Sequence, residues 1–239
     1  MNALVLAAGR GARLGLDLPK CLLEVGGRTL LDRQLDAFER VGVERVSVVV
    51  GYGAGAVARA CRGRAALVEN RHFATTNSLY SLWVGRDALR GETFLINGDV
   101  LADQGIYARL AVARGSAMAV DPSSGRDAEH MKVVASDGRV RRIGKHLPPD
   151  RAAGESLGLM KLGAACARAL GRAAADLVAE GRSRTWAPAA LDRILDRHPV
   201  EVADVGDAPW VEIDFPEDLH YARRVVAPKI DGPAVARVS

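Results

Sequence analysis

Cysteine is scarce in this chain. Cys21, Cys61 and Cys166 stand far apart with no C-x-x-C pair, which argues against a disulfide framework or a zinc knuckle and leaves three reduced, structural thiols. Long apolar runs are missing as well: no stretch approaches the roughly 20 residues that cross a bilayer. Met1-Asn2 leads directly into a short strand-like run rather than into a charged segment and an apolar leader, so a cytoplasmic protein with no membrane partner is expected. Internal repeats, low-complexity blocks and linkers rich in Pro, Gly or Ser are also lacking, and a single domain over residues 1–227 with a C-terminal tail at 228–239 is expected. Lysine is rare, at five of 33 basic residues. The arginines that make up the rest are spread over helix-like segments instead of forming a stripe interleaved with aromatics, so the net charge of +4 reads as a solvated surface and not as a nucleic-acid footprint. Against that background Lys20, Lys132, Lys145 and Lys161 stand out beside candidate site segments, whereas Lys229 lies in the tail.

What is present suits one substantial core, with 239 residues and 49% hydrophobic content. Residues 3–6 and 47–50 are apolar runs that end in Gly-containing loops, and Leu30, Leu31, Leu35, Phe38 and Val41 recur between them at helical spacing. The alternation continues with strands expected at 65–68, 93–96 and 116–120 and helices at 78–88 and 104–113. Such a pattern predicts an α/β fold with a Rossmann-like, mixed but mostly parallel sheet flanked by helices. Runs at 131–135 and 139–143 flank Asp137-Gly138, which predicts a small β-hairpin insertion. Strands at 157–162, 200–202 and 210–213 and helices at 164–180, 188–196 and 216–226 complete the expectation.

The segment from Leu6 through Ala7, Ala8, Gly9, Arg10, Gly11, Ala12 and Arg13 to Leu14 turns sharply after the first strand, and Pro19-Lys20 follow it. Glycines there let backbone N–H groups approach an anion, and two guanidiniums with one ammonium suit a triphosphate. A dinucleotide fingerprint would need glycine at Leu14 and an acid after Val50, where Gly51 stands. A Walker loop is excluded too, since His146 follows Gly144-Lys145 where Ser or Thr would hold magnesium.

Residues 6–20 resemble the L-A-A-G-x-G-x-R-L…P-K signature of nucleotidyltransferases that activate sugar phosphates and alcohol phosphates. The stretch Leu22–Leu31 and the segment Val49-Val50-Gly51-Tyr52 are similar to further elements of that superfamily. Only five residues separate Arg13 from Pro19-Lys20, a loop shorter than most sugar-phosphate enzymes carry and similar to that of compact cytidylyltransferases. The resemblance implies a nucleotidyltransferase (GT-A-like) fold, with Lys20, Arg10 and Arg13 as catalytic cations and Leu6, Ala7, Ala8, Gly9 and Gly11 around the nucleotide.

Taken singly, Asp99 after the strand at 93–96 is an ordinary turn former, and Asp214 before Phe215-Pro216 an ordinary helix cap. The resemblance pairs them as the ligands of a catalytic Mg²⁺, a cation that needs few carboxylates when phosphate oxygens and water complete its shell. Thr76, Asn77 and Ser78 likewise read as helix-start chemistry, yet Thr76 to Leu82 resembles an element of the phosphocholine and phosphonoalkyl cytidylyltransferase branch. That likeness implies CTP and an aminoalkyl phosphate or phosphonate acceptor as partners, phosphocholine-like or an aminoalkyl or hydroxyalkyl phosphonate, with Lys132 at the acceptor phosphate. Glu129 and Glu155 are candidates to pair with a cationic amine, and Trp83, Trp186 and Trp210 are candidates for one wall of an ammonium-binding box, with Trp210 assigned to the acceptor. His72, His130 and His146 are not spaced as metal ligands. The expected activity is transfer of CMP from CTP with release of pyrophosphate; a sugar- or cyclitol-1-phosphate nucleotidyltransferase using CTP, UTP or GTP is the alternative. Homodimer formation is left open.

Overall fold

A computed structural model describes residues 1–125 and 127–232 of the chain. Strand β1 (Asn2–Ala7) explains the layering, because it is buried on both faces: Ala3, Val5 and Ala7 enter one apolar cluster while Leu4 and Leu6 enter another. After β1 come the ribbon strands β2 (Glu24–Val25) and β3 (Arg28–Thr29), helix α1 (Leu30–Arg40), β4 (Arg45–Val50), α2 (Ala54–Cys61), β5 (Ala66–Glu69) and α3 (Ser78–Val84). Strands β6 (Thr93–Asn97) and β7 (Val100–Ala102), helix α4 (Gln104–Val112) and strand β8 (Ala117–Asp121) follow. The second half adds the hairpin β9 (Lys132–Ser136) and β10 (Arg139–Gly144), the long strand β11 (Gly154–Leu162), α5 (Ala164–Ala179) and α6 (Pro188–Asp192). It ends with β12 (Glu201–Asp204), β13 (Trp210–Glu212), α7 (Pro216–Tyr221), a π-helical turn over Ala222–Val226 and α8 (Ala227–Asp231).

Nine strands form one sheet in the order β5-β4-β1-β6-β11-β8-β12-β10-β9. Its N-terminal half, β5-β4-β1-β6, is parallel, as is the pair β8 and β12, whereas β11 runs antiparallel to both β6 and β8. Helices α1, α2 and α4 cover one face through residues such as Leu35, Val57 and Tyr107, and α3, α5 and α6 cover the other through Leu82, Leu170 and Leu191. The mixed α/β architecture and its hairpin are as expected from the sequence.

Several boundaries differ. The helix expected at 78–88 stops at Val84 and a separate 3₁₀ turn over Arg86–Ala88 follows. The one expected at 188–196 is regular only to Asp192. Helix α2 was not legible, since a stretch rich in Ala, Gly and Arg offers only Val57 and Cys61 as buried anchors. The tail expected from residue 228 instead begins in helix α8, where Asp231 pairs with Arg33 of α1 at 2.7 Å; residues 233–239 lie outside those described. Strand β13 leaves the main sheet and pairs with β7, placing Glu212 opposite Val100. A third apolar cluster fixes that ribbon, joining Leu101 and Ile213 to Leu14 of the N-terminal loop and to Leu219, Ala222 and Val226 of the C-terminal helices. Among the described residues, no helix is long and apolar enough to cross a membrane.

Candidate active site

Where β1 ends, alternation sends Ala7 into the core while Leu6 and Ala8 face a cleft of about 380 Å³. Two backbone bonds hold this strand end, from Tyr52 N to Ala8 O at 3.1 Å and from Gly98 N to Leu6 O at 2.9 Å. Gly98 must be glycine here, because an added Cβ would lie 2.8 Å from that of Ala7. Gly11 is constrained twice: its φ is +66°, and a Cβ would lie 2.6 Å from Cγ of Lys20. The loop thus folds closely over the stem of Lys20, and Gly9, Gly11, Ala12 and Arg13 line the cleft with it.

Lys20 is the hub of the site. Its Nζ donates to Asp99 Oδ2 at 3.0 Å and also to Asp214 Oδ1. Burial works against its charge, yet the two carboxylates outweigh that effect and hold the Lys20 pKa above its usual value. The aspartates converge because β13 pairs with β7 and Ile213 N donates to Asp99 O at 3.0 Å. Neither aspartate is a helix cap. The carboxylate of Asp218 does that work at α7, accepting from Asp214 N and Phe215 N at 2.9 and 2.8 Å, which leaves the Asp214 side chain facing Lys20.

Glu212, missed in the sequence, adds a third acid. Burial, and after it the negative charge of Asp99 and Asp214, pushes its carboxyl up to about 8, and Asn97 Nδ2 donates to its Oε1 at 3.2 Å. Among the described residues no group of three or more His, Cys, Asp or Glu side chains is arranged to hold a metal alone. Two carboxylates at one point, Asp99 and Asp214, fit a hard cation that takes its remaining ligands from phosphate oxygens and water.

Gln34 of α1, also missed, positions this turn from beneath. Its Nε2 donates to Asn97 O at 3.0 Å and to Val100 O at 2.9 Å, on either side of Asp99. A glutamine between core positions of an amphipathic helix looks like a surface residue in sequence, yet it is 1% exposed. Gln34→Ala is expected to cost about 1–3 kcal/mol by leaving buried carbonyls without donors. Turnover should fall about tenfold as Asp99 loosens; urea denaturation and steady-state kinetics read the two effects separately.

Thr76, Asn77 and Ser78 line one wall, with Asn70, Phe73 and Ser81. Asn77 Oδ1 accepts from Ser78 N at 2.8 Å, and Ser78 Oγ accepts from Ala187 N at 2.8 Å, which ties the start of α3 to the segment before α6. Asn70 was not anticipated because it follows a strand in an unremarkable turn. It is buried, donates to Ser81 Oγ at 3.1 Å and accepts from His72 N at 2.9 Å.

Glu129, Met131, Lys145 and Trp186 also line the cleft. Three residues expected at the acceptor sit elsewhere. Lys132 is 1% exposed and its Nζ is committed to Asp127 O at 2.9 Å and His130 O at 3.4 Å, so it braces the loop that carries Glu129. Glu155 is buried beneath that loop against Ser124 and His130, and burial raises its carboxyl pKa. Trp210 donates its indole N–H to Asp121 Oδ2 at 2.8 Å and packs against the core. Arg13 lines the cleft and reaches Glu129 at 3.6 Å. Arg10 lies on the outer rim, over the Tyr52 ring at 5.3 Å and 4.0 Å from Asp17.

Residues 3–193 match the profile of the MobA-like NTP transferase domain. The chain is 32% identical to a CMP-5'-(3-aminopropyl)phosphonate synthase of Streptomyces rubellomurinus over 93% of its own length, and 25% identical to a bifunctional IPC transferase and DIPP synthase of Aquifex aeolicus over 93%. It spans only 38% and 51% of the length of those two relatives. Among solved structures, the CTP:phosphocholine cytidylyltransferase of Streptococcus pneumoniae superposes with a TM-score of 0.81 at 21% identity, covering 93% of this chain and 97% of that one.

Proposed function

Because the chain belongs to the MobA-like NTP transferase domain family, we propose that it transfers CMP from CTP to a small phosphate or phosphonate acceptor with the help of Mg²⁺. The observation that carries this reading is Lys20 meeting Asp99 and Asp214 beneath the glycine loop, in the cleft of about 380 Å³. An acceptor oxygen bonds to the α-phosphorus of CTP, the bond from that phosphorus to the oxygen bridging to the β-phosphate breaks, and pyrophosphate leaves with the electron pair. Since the attacking oxygen is already anionic, no general base is needed; alignment and charge neutralisation do the work.

Lys20 and Arg13 neutralise the phosphates from within the cleft, and Arg10 adds charge at its rim. The flexible Lys20 stem lets its ammonium exchange a carboxylate partner for a phosphate oxygen. Asp99 and Asp214 hold Mg²⁺, which supplies further neutralisation of the phosphate charge when bound. Leu6, Ala8 and Gly9, with the wall from Thr76 to Ser78, frame the base and ribose, and the acceptor tail extends toward Glu129, Met131 and Trp186.

A second reading is a cyclitol- or sugar-1-phosphate acceptor; the inositol-1-phosphate CTP transferase of T. maritima shares the fold at a TM-score of 0.76 and 23% identity. A pyrophosphate-release panel separates the two. CTP, UTP and GTP are each offered with phosphocholine, 2-aminoethylphosphonate, 2-hydroxyethylphosphonate and inositol 1-phosphate. Fastest release from CTP with an open-chain acceptor is expected; fastest release with inositol 1-phosphate, or from UTP or GTP, would shift the assignment to the cyclitol or sugar class.

A further inference from the structure

Phe215 is a large apolar side chain left 39% exposed directly after Asp214. Its backbone is held in two ways. Pro216 disfavours a helical conformation for the residue before it, and Phe215 is extended, with φ −121° and ψ 162°. Asp218 Oδ2 accepts from both Asp214 N and Phe215 N, at 2.9 and 2.8 Å. One carboxylate therefore fixes two consecutive residues. Asp214 Oδ1 accepts from Lys20 Nζ, and the ring of Phe215 meets Arg13, whose Cζ lies over it at 5.2 Å from the ring centre.

Arg13 thus has two neighbours of opposite kind. Its Nη1 is 3.6 Å from Glu129 Oε2, an ion pair between exposed groups, and its guanidinium carbon lies over Phe215. The two contacts differ in what they leave free. A carboxylate occupies N–H donors that a phosphate would need, whereas an aromatic face attracts the cation while its in-plane donors remain available. The backbone near each partner belongs to one apolar cluster, in which Leu14 beside Arg13 packs with Ile213 and Leu219 on either side of Phe215. Ring and guanidinium accordingly stay within reach of each other when the ion pair with Glu129 opens.

We propose that Phe215 is a positioning residue for the nucleotide: its ring face holds the Arg13 guanidinium at the cleft with the N–H fork free, so that Arg13 passes from Glu129 to a phosphate oxygen of CTP. Phe215 does not itself line the cleft, so it acts through Arg13 and not by touching substrate. Asp214 and Phe215 then place a metal-binding carboxylate and a phosphate-binding arginine through one capped turn. This rests on the transferase reading above and deepens it.

The test is a double-mutant cycle on kcat/KM for CTP, measured with the best acceptor of the panel. Phe215→Leu keeps apolar bulk and removes the ring face; it is expected to lower kcat/KM about fivefold, chiefly through KM, with the Mg²⁺ dependence and the thermal midpoint unchanged. Phe215→Tyr keeps the face and should stay within about twofold of the unaltered protein. In an Arg13→Ala background Phe215→Leu should cost nothing further, because the group it positions is gone. A merely structural role predicts the same loss in both backgrounds. That outcome, or no loss in Phe215→Leu, would overturn the proposal, as would a shift in half-maximal Mg²⁺, which would place the effect on Asp214. Calorimetric titration with CTP and Mg²⁺ repeats the cycle without turnover, and affinity should fall only where Arg13 is present. If no acceptor releases pyrophosphate while that binding cycle holds, the transferase reading fails and the positioning role stands. Equal losses of affinity in both backgrounds, or no binding of CTP, would overturn the positioning role.

Discussion

Lys20→Ala is expected to lower kcat by about 10²–10³-fold, the usual cost of removing one charge-stabilising donor from a preorganised site. Lys20 is the only cation within hydrogen-bond reach of both Asp99 and Asp214 among the described residues, and the loop over its stem leaves no room for a side chain at Gly11. Its removal leaves Asp99, Asp214 and Glu212 together without compensation, so a modest fall in thermal stability should accompany the loss of rate. Lys20→Arg distinguishes the two effects. A guanidinium restores charge and stability, but its planar fork cannot swing between carboxylate and phosphate as an ammonium does, so turnover should remain well below that of the unaltered protein. Near-normal turnover in Lys20→Ala would remove this residue from the chemistry.

Asp99→Asn and Asp214→Asn are each expected to reduce turnover by on the order of 10²–10³-fold at a fixed Mg²⁺ concentration. Each should also move half-maximal activity to higher Mg²⁺. The second effect is the informative one, because a carboxylate that only holds Lys20 in place would lower the rate without changing the metal dependence. Fold stability should be little affected, since asparagine still accepts a hydrogen bond from the Lys20 ammonium and one negative charge of a crowded acidic group is gone. If the Mg²⁺ titration curves of both variants overlay that of the unaltered protein, the aspartates are not metal ligands.

The glycine turn after β1 and the turn that carries Asp99 were legible in the sequence because each is a local event; the pairing of Asp99 with Asp214 came only from the family likeness. An apolar run ends in Gly9, or in Asn97-Gly98-Asp99, and the turn chemistry sits at the carboxyl edge of a strand where open α/β sheets bind ligands. Asp214 was visible only through the family likeness. Its approach to Asp99 depends on β13 leaving the main sheet to pair with three residues of β7, and on the C-terminal helices packing against Leu14 and Leu101. No periodicity in residues 210–214 encodes that. The same limit applies to Gln34 and Asn70, polar residues whose burial arises from what folds over them. Lys132 illustrates the converse: a rare lysine beside family-like residues reads as a binding group, but a strand position facing inward turned its ammonium onto loop carbonyls. Trp186 replaces Trp210 at the cleft because the segment before α6 is drawn across by Ser78, whereas Trp210 faces Asp121 and the core.

The central claim, that this cleft joins a nucleotide α-phosphorus to an acceptor oxygen, is tested most directly by ³¹P NMR of the protein with CTP, Mg²⁺ and 2-hydroxyethylphosphonate. The expected result is a new phosphonate–phosphate anhydride signal growing in step with pyrophosphate, abolished in Lys20→Ala. Pyrophosphate absent with every acceptor offered, or produced equally well by Lys20→Ala, would contradict it.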